Sequence, residues 1–472
     1  MKTVNIKSGS TEGLIIPGPQ KSYNEIIEFF DNNWKTNLGD TTLMVMKQLD
    51  NAFGNVSQKL NTVLITGTNG KSLTTHFAKR LLFEEGITVG AFSSPHILLY
   101  NERFSINKDT ISNKLFTELA NEVINTAETL NVKANTFELL TIMALVYFKN
   151  NNVDIALLEV GTIGSHDATN ICTPKIIAIT RIINQSKTET DNLKLIHEVL
   201  SIVKPNTNVV SADQSKLNLQ VMQNITEQIG GEWSMPIRKL APLQYPFEQL
   251  HGRCAALAER IAHLFINSFT DLSENSLTKS LLAKQKGQRG RPTLEAKRES
   301  ETNPKKTIEQ FWKETLSTLS GHFQLLDKEK PTILLDNASN IDAFSNLLLG
   351  VRLLHYHRPL KGLTLLLGCN NVELDVPELL KLLRYFFKKT SGQIIVYPVA
   401  TDTNGVATAP CDVEKTTNAI KTMKIKAKSA KSFDEAFELA QKSVDERHGL
   451  VVITGSTSAI TEYWKYKGIK KL

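Results

Sequence analysis

Residues 62–85 read TVLITGTNGKSLTTHFAKRLLFEE, and the rest of the chain can be placed relative to them. Thr62 to Thr66 is a short, β-branched and apolar run that suits a buried strand. Gly67-Thr68-Asn69-Gly70 forms a turn, and from Lys71 onward Phe77, Ala78, Leu81 and Leu82 fall at helical spacing. Strand, glycine turn, Lys-Ser and helix together make an architecture that cradles phosphate. Backbone N–H groups and the helix N-terminus face the anion, Lys71 reaches the outer phosphates, and the Ser72 hydroxyl can hold Mg²⁺. The common GxxxxGK[ST] pattern is not fully met, because Ile65 stands five places before Gly70; the first glycine is Gly67, and the loop is a shorter variant.

The chain has 472 residues, enough for two or three domains with sizeable cores. Its 41% hydrophobic and 22% charged content is that of an ordinary globular protein. A net charge of +7 is modest for this length, so small anionic molecules are expected as partners and nucleic acid is not. Met1 to Pro19 has no apolar core of a secretory signal, and no run is long enough to span a bilayer, so no membrane partner is expected. Cys172, Cys254, Cys369 and Cys411 are scattered without a CxxC pair, which argues against a zinc site and fits reduced thiols in a cytoplasm.

The order of elements reads as α/β. Tyr23 to Asn61 is a helical preamble, and Thr88 to Phe92 is a second strand. Ile111–Leu130 and Phe137–Phe148 have helical periodicity, while 153–160 (VDIALLEV) and 175–182 (KIIAITRI) are apolar strands of a parallel sheet covered on both faces. A helix over Leu193–Val203 ends at Lys204-Pro205, and Asn208–Ser211 is the next strand. This alternation predicts a doubly wound sheet with ligand loops at the carboxyl ends of its strands. Ala283 to Lys306 is rich in Lys, Arg, Gln and Glu and reads as a solvated basic linker rather than a nucleic-acid arm. A helix over Thr307–Leu326 then leads into a second alternation, with strands at 331–336, 362–368, 393–399 and 449–456. The expected domains are 1–282, carrying the phosphate loop, and 307–472, a smaller α/β unit.

Four clusters follow one another: GTNGKS; Ser93-Ser94-Pro95-His96 with Tyr100-Asn101-Glu102-Arg103; Phe137-Glu138 with Thr141; and Leu158-Glu159-Val160-Gly161 with Asp167-Ala168-Thr169-Asn170. Together they resemble the folylpolyglutamate synthase/dihydrofolate synthase branch of the Mur ligase family. The resemblance covers the chain from about Tyr23 onward, specifically in the first half and loosely in the second. It implies a P-loop ATPase domain followed by a Rossmann-like domain. It also implies an ATP-dependent ligase that phosphorylates a carboxylate and lets an amine displace phosphate. The expected cofactors are ATP and Mg²⁺, the substrates a folate or dihydropteroate and L-glutamate, and the protein a cytoplasmic monomer.

By the same resemblance, Gly67, Thr68, Asn69, Gly70, Lys71, Ser72, Arg291 and Asp336 bind ATP, and Lys71 and Glu159 are catalytic. Ser94, Glu159 and Ser72 hold the metal; Ser93, Pro95, His96, Tyr100, Asn101, Arg103, Asp167 and Thr169 serve the substrate. A buried acid such as Glu159 at a strand end is costly without a metal or basic partner, which favours a functional reading. Several positions depart from the family. Ser186 stands where the third metal ligand, a histidine, is expected, with Asn184, Gln185 or water left to fill the shell; His166 is a weaker substitute. Val199 stands where a carbamylated lysine is expected, with Lys194 and Lys204 nearby but out of register. Cys254 replaces a nucleotide-contacting asparagine, His251 a glutamine, and Ser339 a histidine. The alternatives to a folate ligase are a nucleotide- or folate-binding protein of this fold without ligase activity, and a ligase for another carboxylate and amine.

Overall fold

The computed structural model describes residues 19–34, 42–183, 189–213, 215–236, 243, 246–269, 307–369, 377–399 and 412–472. Arg291, Asn184, Gln185, Ser186 and the 283–306 linker lie outside these residues.

The first sheet grows outward from β1 (Thr62–Thr66), which is buried along its whole length. It pairs in parallel with β5 (Ile155–Glu159) on one side and β6 (Ile176–Ile179) on the other. Beyond β5 lie β2 (Val89–Phe92) and the antiparallel β3 (Phe104–Ile106) and β4 (Asp109–Thr110); beyond β6 lie β7 (Asn208–Ser211) and β8 (Glu232–Ser234). The order is β4-β3-β2-β5-β1-β6-β7-β8. The two-residue alternation of strands then divides the apolar run between two cores. Leu64, Ala156 and Leu158 face a cluster built with α1 (Tyr23–Asn32), α2 (Thr42–Ala52), α4 (Asn113–Thr129) and α5 (Thr136–Asn150). Val63, Ile65, Ile155 and Leu157 face the opposite cluster with α3 (Lys71–Glu84) and α8 (Phe247–Phe269). Glu159 therefore points to the α3 side, where the glycine loop ends.

The helices α6 (Glu189–Leu200) and α7 (Lys216–Ile229) complete the first unit. The helix expected over 307–326 stops early: α9 spans Ile308–Ser317, and Gln324–Leu326 is instead the edge strand β9. Gly321 with φ 70° and Phe323 with φ 49° turn the chain out of helical geometry between them. Nor does α9 open the second unit. Phe311 and Trp312 are buried in the first unit's core, with Trp312 edge-on to Phe77 at 5.1 Å, so packing puts the change of unit after Leu319 rather than at 307.

The second sheet runs β13-β12-β11-β14-β10-β9, with β10 (Thr332–Leu335), β11 (Leu363–Cys369), β12 (Gln393–Pro398), β13 (Lys426–Ser429) and β14 (Leu450–Thr454). All pairs are parallel except β9 on β10. Leu334, Leu365 and Val452 face α10 (Ile341–His357), α11 (Pro377–Lys389) and α12 (Val413–Thr422). Ile333, Leu366 and Val451 face α13 (Phe433–Lys442) and α14 (Thr457–Tyr466). The fold is thus α/β with two mostly parallel sheets, as expected. Among the described residues no helix is long and apolar enough to cross a membrane.

Candidate active site

The carboxyl ends of β1, β5 and β2 converge on one cleft against the second unit. Gly67 and Gly70 hold φ of 126° and 93°, and both are hemmed in. A Cβ at Gly67 would lie 2.3 Å from Thr180 Oγ1, and one at Gly70 would lie 2.9 Å from Cys254 Sγ. Only glycine meets both the torsion and the space. Lys71 Nζ donates to the Gly67 carbonyl at 2.8 Å, curling over the loop where outer phosphates would sit. Burial pulls the Lys71 pKa down, opposed by the charges of Glu159 and Asp167.

Glu159 is fully buried, and burial raises its pKa against the pull of its hydrogen bonds and Lys71. Ser72 Oγ donates to its Oε2 at 2.9 Å and the Ser94 backbone N–H at 3.2 Å, while Oε1 is buried with no hydrogen-bond partner. That orphaned oxygen fits a hard cation. Among the described residues no three His, Cys, Asp or Glu gather around one point; the groups here that could hold a cation are one carboxylate and the Ser72 and Ser94 hydroxyls. Such a sparse oxygen set suits Mg²⁺, which keeps waters and shares substrate phosphates.

The SSPH and YNER segments form one buried scaffold behind Ser94. Arg103 is wholly buried; its Nη1 donates to Ser94 Oγ and its Nε to His96 Nδ1, each at 2.9 Å. A hydroxyl oxygen has two lone pairs, so this bond leaves Ser94 able to ligate. The Tyr100 hydroxyl donates to Asp31 and accepts from Trp34 Nε1, and Asn101 Nδ2 donates to the Ile111 carbonyl. His96 packs on the Tyr100 ring at 4.4 Å, and burial holds its pKa well below the usual imidazole range. Tyr100, Asn101, Arg103 and His96, expected to touch substrate, are bonded to protein groups and line neither the cavity at the phosphate loop nor the one beside it. Ser93 and Pro95 do reach the cleft. Asp167 and Thr169 are buried too, the Asp167 carboxylate capping its own turn through the N–H groups of Thr162 and Thr169. Glu138 closes a capping box with Asn135 at the start of α5, which explains the Phe137-Glu138 cluster locally.

The cleft holds a cavity of about 560 Å³ lined by the phosphate loop, Ser94 and Asp336. Asp336 accepts from the Phe323 and Ala338 N–H groups, and burial pushes its pKa up to about 7. Ser339, Cys254 and His251 also line it, so the substituted positions of the motif reading do converge here. The substitutes for the expected metal ligands that fall among the described residues do not, while Asn184, Gln185 and Ser186 lie outside those residues. Val199 lies in the first core, Lys194 is exposed beside Asp191, Lys204 Nζ binds the Asn170 and Cys172 carbonyls, and His166 is exposed.

Motif reading missed Arg181, Arg253, His322 and Asp342, all in the cavity wall. Arg181 pairs with Asp342 at 2.7 Å, and Asn69 Nδ2 reaches both Asn340 and Asp342 at 3.0 Å, so the phosphate loop is clasped to the second unit. Asn340 stood in a recognisable stretch after Asp336, but an isolated Arg or Asp such as Arg181 or Asp342 carries no local signal.

Comparison with known proteins returns the resemblance read from the motifs. The chain is 31% identical over 221 residues to a dihydrofolate synthase/folylpolyglutamate synthase of Bacillus subtilis, covering 45% of this chain and 48% of that protein. It is 31% identical over 240 residues to the one from Haemophilus influenzae, covering 46% and 52%. The chain therefore spans about half the length of the curated relatives it matches. No family model matches. Over most of the chain the fold is that of solved folylpolyglutamate synthases. The Mycobacterium tuberculosis enzyme complexed with ADP superposes with a TM-score of 0.73 at 18% identity, covering 94% of this chain and 98% of that one. The bifunctional Yersinia pestis enzyme, complexed with AMPPNP and Mn, gives 0.72 at 18%, covering 96% and 100%.

Proposed function

We propose that this chain is an ATP-dependent acid–amine ligase of the dihydrofolate synthase/folylpolyglutamate synthase type. It joins L-glutamate to dihydropteroate or a reduced folate, acting as a cytoplasmic monomer with Mg²⁺. The observation that carries this reading is the junction of Ser72, Glu159 and Ser94 at the end of the phosphate loop, with one Glu159 oxygen buried and unpartnered. Bound there, the cation would neutralise phosphate charge. The loop and Lys71 hold the β- and γ-phosphates. A substrate carboxylate oxygen attacks the γ-phosphorus and ADP leaves with the bridging oxygen, giving an acyl phosphate. The glutamate amine then attacks the carbonyl carbon, a proton passes to solvent, and phosphate departs with the C–O electron pair. The test is ADP release from Mg-ATP with dihydropteroate or tetrahydrofolate and L-glutamate; release that needs both co-substrates supports the ligase.

A second reading, nucleotide binding without ligation, is favoured by one observation: Val199 is sealed in the core and neither Lys194 nor Lys204 lines the cleft, so none of these three described residues supplies a carbamate to the metal shell. Nucleotide binding without ADP release under any co-substrate would support it.

A further inference from the structure

Besides Lys71, the cavity at the phosphate loop is lined by the guanidinium groups of Arg181 and Arg253, which no motif accounts for. The main chain around Arg181 is fixed to the loop. Its carbonyl accepts from the Thr68 N–H at 2.6 Å, the Ile183 N–H donates to Thr68 Oγ1 at 3.1 Å, and the Ile182 N–H donates to Asp213 at 2.9 Å. The Arg181 side chain is 35% exposed and reaches across to the second unit, where its Nη2 lies 2.7 Å from Asp342 Oδ1. The other Asp342 oxygen accepts from Asn69 Nδ2, in the loop itself, at 3.0 Å. A carboxylate only 15% exposed is thus held against a loop whose N–H groups suit phosphate. Burial lowers the Arg253 pKa and the Arg181 charge lowers it further, against the pull of Asp213, so the two guanidinium groups share one stretch of wall.

A tether between the units would explain an ion pair here, and an acid in the first turn of α10 suits the helix dipole. A tether does not explain why the cation springs from the residue bonded to Thr68, with both partners in the cavity wall. A partly exposed pair with one carboxylate is weak, whereas an arginine on phosphate makes two parallel charge-assisted bonds to a more highly charged partner. We propose that Arg181 is a phosphate-binding residue of the nucleotide site, exchanging the Asp342 carboxylate for the polyphosphate when nucleotide enters. Only the side chain has to move, because the backbone that carries it is already bonded to the loop. Asp342 keeps its bond from Asn69 and acts as a competing anion. The inference rests on nucleotide binding, which both functional readings share, and not on ligation.

The test is calorimetric titration of the full chain with ADP and with a non-hydrolysable ATP analogue, both with Mg²⁺, on Arg181→Gln, Asp342→Asn and the double variant. Arg181→Gln should weaken the analogue about tenfold or more, and Arg181→Lys, which keeps the charge but not the fork, should recover part of the loss. Asp342→Asn keeps the shape and an acceptor for Asn69 but frees Arg181, so the analogue should bind about three- to tenfold more tightly. The decisive comparison is Arg181→Gln in the Asp342→Asn background, where a loss of about tenfold should remain. Were the pair only a tether that masks the Asp342 charge, that loss would vanish with the carboxylate, and this result would overturn the proposal. Unchanged analogue affinity in Arg181→Gln, or weaker binding in Asp342→Asn, would overturn it too. A loss shared by ADP and one confined to the analogue both uphold it, the first placing Arg181 on the inner phosphates and the second on the γ-phosphate. Analogue that fails to bind the wild type would remove the nucleotide reading along with this inference, whereas binding without any Arg181 dependence removes the inference alone.

Discussion

Glu159 is buried behind the cleft-lining Ser72 and Ser94, with one oxygen committed to them and the other unpartnered. Glu159→Gln keeps the volume but removes the charge, so the fold should persist while apparent Mg²⁺ affinity falls about ten- to a hundredfold, the range for losing a charge-assisted contact. A Mg²⁺ titration of nucleotide binding reads this directly, and an unchanged curve would remove Glu159 from the metal site. Lys71→Ala should cut ATP affinity by a similar factor; wild-type binding in that variant would detach the loop from phosphate. These residues were legible because their chemistry is written in short local runs. Arg103, Tyr100 and Asn101 sat in an equally legible run, but sequence cannot tell a side chain that touches ligand from one that props up its neighbour. Only the bonds of Arg103 to Ser94 and His96 make that distinction.

Among the elements, β1, the glycine turn and α3 could be read because a short β-branched, apolar run gives way to helical spacing after Gly70. The 307–326 segment could not: an amphipathic helix followed by a short, mostly apolar strand reads as one periodic stretch, although Gly321 stands between the two. The clasp between phosphate loop and α10 start was equally invisible, since Asn69 and Asn340 are 271 residues apart. Asp342 holds both Arg181 and Asn69, each partly buried, so Asp342→Ala should cost about 1–2 kcal/mol of contact between the units. Small-angle scattering of the ligand-free variant should give a larger radius of gyration than the wild type. Superimposable profiles would mean that the clasp does not hold the units together.

Across the whole molecule, two α/β units and their order were legible from composition and strand spacing, whereas the point of division was not, because α9 buries Phe311 and Trp312 in the first core. Three histidines, His76, His251 and His322, lie between the units' cores, with pKa values lowered by burial to about 3, 3 and 4. The unfolded chain takes up protons at these groups below about pH 6.5, whereas the folded one resists until pH 4 or lower. Stability is therefore complete above 6.5 and is lost as pH falls toward 4. For the buried His251 this amounts to about 2 kcal/mol between pH 6.5 and 5. Urea midpoints should fall over that interval, and His251→Gln should flatten the slope whatever it does to absolute stability. An equal slope in the variant would mean that His251 is already protonated in the folded state.

The most direct test of the proposed ligase activity is ADP formation by the wild type as Mg²⁺ is varied, with and without bicarbonate, in the presence of dihydropteroate or tetrahydrofolate and L-glutamate. With Val199 in the core and Lys194 and Lys204 turned elsewhere, the expected result is ADP release that requires both co-substrates and Mg²⁺ and is indifferent to bicarbonate. Nucleotide bound without turnover under every combination would contradict the ligase, and a clear bicarbonate dependence would contradict the metal site built on Glu159, Ser72 and Ser94 alone.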